Sequence, residues 1–189
     1  MYITSPMTDP TLVSEETVIL AKKGDLAAFN QIIVAFQKAI FNHLYRLTGS
    51  KEDAADLTQD TFFKLFRKRA LINPNKNFKA YLYKIATNTA YDWFDKKKRR
   101  NEVNMAEEGE VETIEQQTPY LRMEIGNSVD LETAIRKIKP IYQNVIFLYY
   151  QQGFSYEELA EILKIPLGTV KTLLYRSKKA LSEKLKPYE

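Results

Sequence analysis

The sequence predicts an all-α protein made of two small helical domains that a flexible acidic linker joins, with a helix-turn-helix in the C-terminal domain. Apolar residues recur at helical intervals in most segments, and almost no run alternates with the period of two that half-buried strands show. Proline and glycine, at 7 and 6 of 189 residues, are sparse. Charge is strongly segregated along the chain, which predicts the division into two domains.

The first three helices of the N-terminal domain, residues 14–100, are predicted from their ends. A polar side chain that can accept a backbone hydrogen bond precedes each apolar run. The predicted capping residues are Ser14, Asp25 and Ser50, and the predicted stops are Gly24, Gly49 and Pro74. The lone histidine, His43, is predicted to be a packed or surface residue, because no second His or Cys exists to help bind a metal.

A fourth helix begins near Phe78 and runs into the basic run KKKRR, Lys96–Arg100. Its aromatic residues lie among lysines over more than one helical face, so they cannot all be buried in a small bundle. Rings beside cations are typical of single-stranded DNA binding, in which rings stack on unpaired bases while Lys and Arg follow the phosphates. The alternative is that the rings are mostly core. In either case we expect burial of Leu82, Ile85, Ala86 and at least one aromatic side chain.

Residues 101–127 are predicted to be the linker. Residues 101–125 contain seven glutamates and one arginine. The stretch has no sustained apolar periodicity and contains Gly109 and Pro119. Such a composition is typical of a flexible segment, and by itself it favours a solubilising tether.

The C-terminal domain, residues 128–187, contains the most informative segment, GFSYEELAEILKIPLGTVKTLLYRSKKAL at Gly153–Leu181. Ser155 and Glu158 have the spacing of a capping box, and Pro166 and Gly168 separate a short helix from a longer basic one. The expected inward residues of the longer helix are Val170, Leu173, Leu174 and Leu181. This pattern predicts a helix-turn-helix whose second helix enters the major groove, and the alternative is a solvated basic helix in an ordinary bundle.

The composition of the chain argues against several other classes of protein. The chain has no cysteine, which rules out disulfides and thiolate metal sites and fits a reducing cytoplasm. No apolar run reaches the ~18 residues of a membrane span, and the N-terminus lacks a signal-peptide core. A single histidine and the absence of a glycine-rich phosphate loop or paired metal motif disfavour an enzyme. We therefore expect no catalytic residues, no metal and no cofactor.

Three motifs then carry a family resemblance: DLTQDTFFKLF at Asp56–Phe66, FKAYLYKIATNTAYDWFDKKKRR at Phe78–Arg100, and the terminal helix-turn-helix with its GTVK opening. Occurring in this order, they resemble an extracytoplasmic-function (ECF) RNA polymerase sigma factor of the sigma-70 family. The resemblance implies that the first motif binds core RNA polymerase. The implied contacts are Asp56, Gln59, Asp60 and Phe63, with Leu57, Phe62 and Phe66 in the core.

The resemblance also implies two DNA-binding surfaces. The loop and fourth helix would read and open the minus-ten element, with a flipped base held near Asn88, through Asn73, Asn75, Asn77, Tyr83, Lys84, Asn88, Trp93, Lys96, Lys97, Lys98, Arg99 and Arg100. The helix-turn-helix would bind the minus-thirty-five element through Thr169, Lys171, Thr172, Tyr175, Arg176, Lys178 and Lys179. Leu173 departs from the family pattern, in which a polar or basic residue is frequent.

The expected function is therefore that of a bacterial, cytoplasmic sigma factor, monomeric when free, with core RNA polymerase and promoter DNA as partners and an anti-sigma factor as a further candidate. In such a protein the acidic linker would thread the channels of the polymerase. A free-standing transcriptional regulator is the alternative, and it would leave the exposed aromatics and the Asp56–Phe66 face without a use.

Overall fold

The computed structural model describes residues 13–107 and 129–185, and these stretches form helices and turns without a β-strand. The helices are α1 (Glu15–Lys23), α2 (Leu26–Thr48), α3 (Lys51–Arg67), α4 (Phe78–Glu107), α5 (Val129–Arg136), α6 (Pro140–Ile146), α7 (Tyr156–Leu163) and α8 (Leu167–Leu185). A 3₁₀ turn at Arg69–Leu71 follows α3, and a π-helical segment at Phe147–Gln151 follows α6. The predicted all-α class is confirmed.

The three predicted caps and the stops at Gly24 and Gly49 are also confirmed, whereas α3 already ends at Arg67, seven residues before Pro74. Ser14 Oγ accepts a hydrogen bond from the backbone N–H of Thr17 at 3.1 Å, and Asp25 Oδ1 accepts one from Ala28 at 2.8 Å. The third cap, Ser50, accepts from the backbone of Asp53 at 3.2 Å. Gly24 and Gly49 follow the first two helices with φ of 97° and 73°, a left-handed conformation that glycine adopts without strain.

Helix α2 is the central helix of the N-terminal half and packs against α1, α3 and α4. Its core positions recur every four residues and are at most 2% exposed: Ile32, Phe36, Ile40 and Leu44. The Phe36 ring meets the Phe78 ring edge to face, with centroids 5.9 Å apart. This contact fixes the first turn of α4 against α2.

The loop between the 3₁₀ turn and α4 is ordered by its own asparagines. Asn73 Oδ1 accepts the backbone N–H of Asn75 at 3.0 Å, and Asn77 Oδ1 accepts that of Ala80 at 3.2 Å. Ile72, which is 1% exposed, anchors the loop in the core. The side chains of all three asparagines are therefore presented on the surface from a defined backbone.

The C-terminal half forms the predicted helix-turn-helix. Both hydrogen bonds of the Ser155–Glu158 capping box are present, at 3.1 Å and 2.8 Å. Lys164, at φ 54°, ends α7 in the left-handed region, and α8 follows after Pro166. Of the expected inward residues of α8, Val170 and Leu174 are buried, and Leu173 and Leu181 are partly buried against the same core.

Helix α4 extends past the basic run near which it was expected to end. The linker was expected to begin at residue 101, but α4 continues to Glu107, through the first residues of that segment. Residues 101–107 contain neither proline nor glycine, the two residues that most strongly disfavour a helix interior, so the helix can continue through them. The rest of the predicted linker, residues 108–127, lies outside the described residues.

The two halves of the chain pack against each other. Helix α7 lies against α4, and α6 approaches α2. The rings of Tyr83 and Phe154 meet at 5.1 Å, and the guanidinium of Arg46 lies 3.5 Å from the centroid of the Phe147 ring. None of the described helices is both long and apolar enough to cross a membrane.

Candidate polymerase and nucleic-acid interface

Helix α3 presents a polar face opposite its buried one. Asp56, Gln59, Asp60 and Phe63 are all exposed, and Phe63 is 60% exposed although it is an aromatic residue. Leu57, Phe62 and Leu65 are buried on the other side of the helix, and Phe66 is partly buried. Within the described residues, neither carboxylate forms an ion pair. The face therefore combines two unneutralised anions with an apolar anchor, which suits a basic helical partner.

A cavity of about 410 Å³ lies between the asparagine loop, α4 and α7. Its lining includes Asn73, Asn77, Tyr81 and Lys84 from the N-terminal half. Glu158 and Glu161 close it from the C-terminal half. The cavity is large enough for a heterocyclic base, and its walls carry both hydrogen-bonding and apolar groups.

Asn88 lies one turn beyond Lys84 on α4 and is partly buried. Its side-chain oxygen is inaccessible to solvent and accepts no hydrogen bond from any described residue. A buried amide oxygen without a donor is unfavourable, so this oxygen can accept a hydrogen bond from a ligand that reaches it after local movement.

Tyr83 differs from its predicted role. Its side chain is 0% exposed, and its hydroxyl donates to Gln152 Oε1 at 2.9 Å. Burial raises the pKa of this phenol above its ordinary value. In this conformation Tyr83 cannot stack on a base. Ala86 and Ala90, at three and seven residues further on, are also fully buried, and this spacing was the signal that could have placed Tyr83 on the core face.

The end of α4 carries the predicted mixture of rings and cations. Trp93 and Phe94 are partly buried and meet edge to face at 4.9 Å, and Lys97 Nζ lies 4.7 Å from the Trp93 ring. The side chains of Lys96, Lys97, Lys98 and Arg99 are exposed. The predicted contact of Arg100 falls on a side chain outside the described part of the structure.

Helix α8 exposes all of its predicted DNA-binding residues: Thr169, Lys171, Thr172, Tyr175, Arg176, Lys178 and Lys179. Tyr175 is 69% exposed, as its neighbours on the helix predicted. Two side chains have contacts that the sequence did not reveal. The Thr172 hydroxyl donates to Gly168 O at 3.0 Å, and a hydrogen bond with Tyr150 raises the pKa of Lys178.

Family models for Sigma-70 region 2 and Sigma-70, region 4 match residues 32–100 and 128–181. The ECF RNA polymerase sigma factor SigW of Bacillus subtilis is 32% identical over 179 residues, covering 87% of this chain and 92% of that protein. The chain belongs to the ECF RNA polymerase sigma factors. It thus acts in promoter-specific transcription initiation with RNA polymerase.

Two further comparisons agree with this membership. The ECF RNA polymerase sigma-E factor of Haemophilus influenzae is 30% identical to this sigma factor and covers 96% of it, with 97% of that protein matched. Among solved structures, the sigma factor RpoE of Bartonella quintana, in complex with the anti-sigma factor NepR, matches with a TM-score of 0.62 and 27% identity. The match covers 85% of this chain and 98% of that one.

The contact between the two halves of this sigma factor falls on the candidate DNA-binding face. Asn77 Nδ2 donates to Glu158 Oε1 at 2.6 Å, and Lys84 Nζ forms an ion pair with Glu161 Oε2 at 3.2 Å. Lys79 Nζ donates to the backbone oxygen of Gln152 at 2.9 Å. Sequence reasoning missed these carboxylates because both glutamates have an adequate local explanation as exposed helix residues, one of them in a capping box.

The sigma factor also buries a histidine and an arginine where the two halves meet. His43 is 0% exposed and its Nε2 lies 2.9 Å from Thr87 Oγ1. Burial, and secondarily the charge of Arg46, lowers the pKa of His43 to about 3. Burial lowers the pKa of Arg46 to about 10, which leaves it cationic at pH 7. Among the described residues, no acceptor reaches its buried Nε and Nη1 atoms.

Proposed function

We propose that this sigma factor holds two promoter elements through separate surfaces while core RNA polymerase holds both of its halves. The exposed α3 face binds the polymerase, the asparagine loop with α4 reads and opens the minus-ten element, and α8 binds the minus-thirty-five element. The chain has no catalysis of its own in this role and needs no metal or cofactor. We further propose that it works in the bacterial cytoplasm and is monomeric when free.

The division of α8 into an exposed polar face and a buried apolar face is the observation that supports its proposed binding to the minus-thirty-five element. Every side chain predicted to reach DNA is exposed, whereas Val170 and Leu174 hold the helix in the core. An exposed basic helix fixed from behind by apolar residues can lie in a major groove without unfolding. Arg176 suits the acceptors of guanine, and Lys179 suits phosphate.

Charge complementarity and exposure support the polymerase surface. The α3 carboxylates are unneutralised, and Phe63 has its ring in solvent beside Arg67, at 5.7 Å. An exposed aromatic ring bordered by charge is typical of an interface anchor. An anti-sigma factor is a further proposed partner, supported by the likeness to a Bartonella quintana sigma factor solved with one.

Run-off transcription with core polymerase on a pool of random promoters tests this function. The selected templates should share two conserved elements at one fixed spacing, because the assembled polymerase holds both halves of the chain. Selection of a single element, or of none, would contradict the two-surface proposal.

The same promoter pool distinguishes an α8 residue that contacts a base from one that contacts only phosphate. Arg176→Ala should cost roughly 1–3 kcal/mol and relax the preference at one position of the upstream element, if Arg176 contacts a base bidentately. Lys179→Ala should weaken all templates about equally and lower the salt dependence by about one unit of slope. Equal shifts in preference by both variants would show that the assigned roles are wrong.

A further inference from the structure

The π-helical segment at Phe147–Gln151 places one tyrosine against each helix of the helix-turn-helix. Its backbone is held by the N–H of Gln152, which donates to Phe147 O, five residues back, at 3.1 Å. This spacing adds a residue to the turn, and the residues after it are rotated relative to those of a continuous α-helix. Turns of this kind are rare and frequently lie at functional sites. The direction in which Tyr149 and Tyr150 point therefore depends on the π-helical segment.

The two tyrosines make different contacts. The Tyr149 ring lies 5.2 Å from the ring of Tyr156, at the start of α7, and the two side chains share a hydrogen bond. The Tyr150 hydroxyl instead accepts a hydrogen bond from the ammonium of Lys178 on α8, whose Nζ lies 5.7 Å from the centroid of the Tyr150 ring. This hydrogen bond raises the pKa of Lys178, which is a cation at neutral pH.

The core does not require the contact between Tyr150 and Lys178. Phe147 and Leu148 hold the π-helical segment from its other side and are 3% and 0% exposed. Tyr150 is 57% exposed, and the side chain of Lys178 is exposed as well. Both groups are thus accessible to a ligand.

Lys178 belongs to the face of α8 that carries Lys171 and Tyr175. The three residues are spaced by four and three positions, so they follow one another along one side of the helix, and all are exposed. The row extends about 10 Å from its first residue to its last. Since Tyr150 contacts Lys178, it continues this row beyond α8, and a DNA strand that follows the row meets Tyr150 next.

The chemistry of the pair suits a phosphate. A phenol oxygen that accepts a hydrogen bond keeps its own O–H as a donor, and an ammonium that donates once has two further donors. The two groups can therefore donate to the oxygens of a single phosphate while they remain in contact with each other. Lysine and tyrosine side chains both contact phosphates in protein–DNA complexes, and hydrogen bonds to an anionic acceptor are stronger than those between neutral groups.

We propose that Tyr150 and Lys178 together bind one phosphate of the DNA backbone beside the minus-thirty-five element, with Lys178 supplying the charge and the Tyr150 hydroxyl a second donor. The inference rests on the proposed function of α8 and adds a contact from outside the helix-turn-helix. It also gives the π-helical segment a role, because this segment brings Tyr150, and not Tyr149, to Lys178. The phosphate contact fixes the position of α8 on the duplex without reading its sequence.

Binding of the full chain to a random-sequence DNA duplex tests this pair, because a phosphate contact needs no particular sequence. Anisotropy of the labelled duplex over a series of salt concentrations gives the affinity and its salt dependence. Tyr150→Phe removes only the hydroxyl, and Lys178→Ala removes the charge. Tyr149→Phe is the matched control, since it removes a hydroxyl from the neighbouring position of the same segment, where the partner is Tyr156.

The two members of the pair should have different signatures. Lys178→Ala should lower the salt dependence by about one unit of slope, because one phosphate is no longer neutralised. Tyr150→Phe should leave the slope unchanged, since the lost group is neutral, and should weaken binding about threefold to tenfold. In the Lys178→Ala background the same change should cost less than about twofold, because the two groups act on one phosphate. Tyr149→Phe should bind as the parent does.

Three results would contradict the pair. Unchanged affinity in Tyr150→Phe would show that this hydroxyl does not reach DNA. Equal losses in Tyr150→Phe and Tyr149→Phe would show that either change disturbs the π-helical segment instead. A full cost of Tyr150→Phe in the Lys178→Ala background would show that the two side chains act separately.

Failure of this inference is distinguishable from failure of the proposed function of α8. Lys171→Ala removes a cation from the same face of α8 and should lower the slope by about one unit. If it does so while Tyr150→Phe has no effect, α8 binds DNA and the phosphate pair is wrong. If neither Lys171→Ala nor Lys178→Ala changes the slope, α8 does not lie on DNA and the proposed function itself fails. Circular dichroism of all variants checks that the helices are retained.

Discussion

Helices α3 and α4 each carry candidate binding side chains on one face, but only the face of α4 lies against another part of the chain. Asp56, Asp60 and Phe63 on α3 are exposed, and no described residue pairs with the two carboxylates. Lys84 on α4 is paired with Glu161, and the cavity beside it is closed by α7. The candidate polymerase surface is thus open in the same structure in which the candidate DNA surface is closed.

The difference indicates an order of binding. A partner that recognises α3 can dock without any movement of the chain, whereas a DNA strand that bound Asn77 or Lys84 would have to displace Glu158 or Glu161. Since rigid docking is faster than docking that waits for a conformational change, polymerase binding should come first. This order requires that α3 alone makes the first contact with polymerase, and it is contradicted if polymerase binding needs α7 to stay against α4.

The largest expected effect comes from reversing the charge of the open face. Replacement of Gln59 and Asp60 by lysine should reduce binding to core polymerase by more than about a hundredfold, because like charges opposed across an interface cost several kcal/mol. Both positions are exposed, so helix content should not change. Pull-down with core enzyme and circular dichroism measure the two quantities.

The matched control for that pair is Glu52→Lys, an exposed acid-to-base change on the first turn of the same helix. It should retain polymerase binding. If Glu52→Lys weakens binding as strongly as the double variant, the effect comes from net charge rather than from the face. If the double variant loses helical signal, Gln59 and Asp60 are structural.

A second prediction concerns the buried contact of His43 and Arg46 with Phe147, where the two halves of the chain meet. Around His43 lie Arg46 from α2, Tyr83 and Thr87 from α4, and the Phe147 ring from the C-terminal half at 6.4 Å. No carboxylate is among these neighbours. Folding lowers the pKa of His43 from its ordinary 6.5 to about 3, so between these values the unfolded chain binds the extra proton. The contribution of neutral His43 to the free energy of unfolding is therefore fully present above pH 6.5 and is lost as the pH falls toward 3.

The expected loss is about 1.4 kcal/mol per pH unit, or about 2 kcal/mol at pH 5, relative to a chain without this histidine. Urea unfolding at pH 5, 6 and 7 should show it as a difference between the parent and His43→Gln. The comparison cancels the contribution of the carboxylates, and the protein has no other histidine. Equal pH dependence in the two proteins would contradict the burial of a neutral imidazole.

Local chemistry was sufficient to predict much of the fold from the sequence. The caps at Ser14, Asp25, Ser50 and Ser155 each depend on residues at most three positions apart, and all four are present. The inward and outward sides of α3 and α8 follow from helical periodicity alone, and both agree with the expected burial.

What the sequence could not predict depends on contacts between distant segments. Tyr83 was expected to meet DNA, because a ring beside lysines is typical of nucleic-acid binding, but Gln152 and Phe154 complete a buried site around it. The pairing of Lys84 with Glu161 joins residues 77 positions apart. No local pattern specifies such a pair, since each residue is an ordinary exposed helix residue in its own segment.

The smallest expected effect compares two helix caps that have the same chemistry. Ser14 and Ser155 each accept a backbone hydrogen bond at 3.1 Å, from Thr17 and Glu158 respectively. Either substitution by alanine should lower the free energy of unfolding by about 1 kcal/mol, because one orphan N–H at the helix start loses its partner. Thermal or urea unfolding of the two variants measures this.

Only Ser155→Ala should also loosen the contact between α7 and the N-terminal half of the chain. Ser155 Oγ accepts the backbone N–H of Glu158, whose carboxylate accepts the Asn77 amide, so loss of the hydroxyl loosens the turn from which Glu158 reaches Asn77. Ser14 lies on α1, which has no such contact with the C-terminal half in the described residues. Energy transfer between fluorophores on two introduced cysteines, Gln37→Cys on α2 and Lys137→Cys in the C-terminal half, should therefore change slightly in Ser155→Ala and not in Ser14→Ala. Equal transfer in both variants would show that the capping box stabilises α7 alone and that Glu158 needs no cap to hold Asn77.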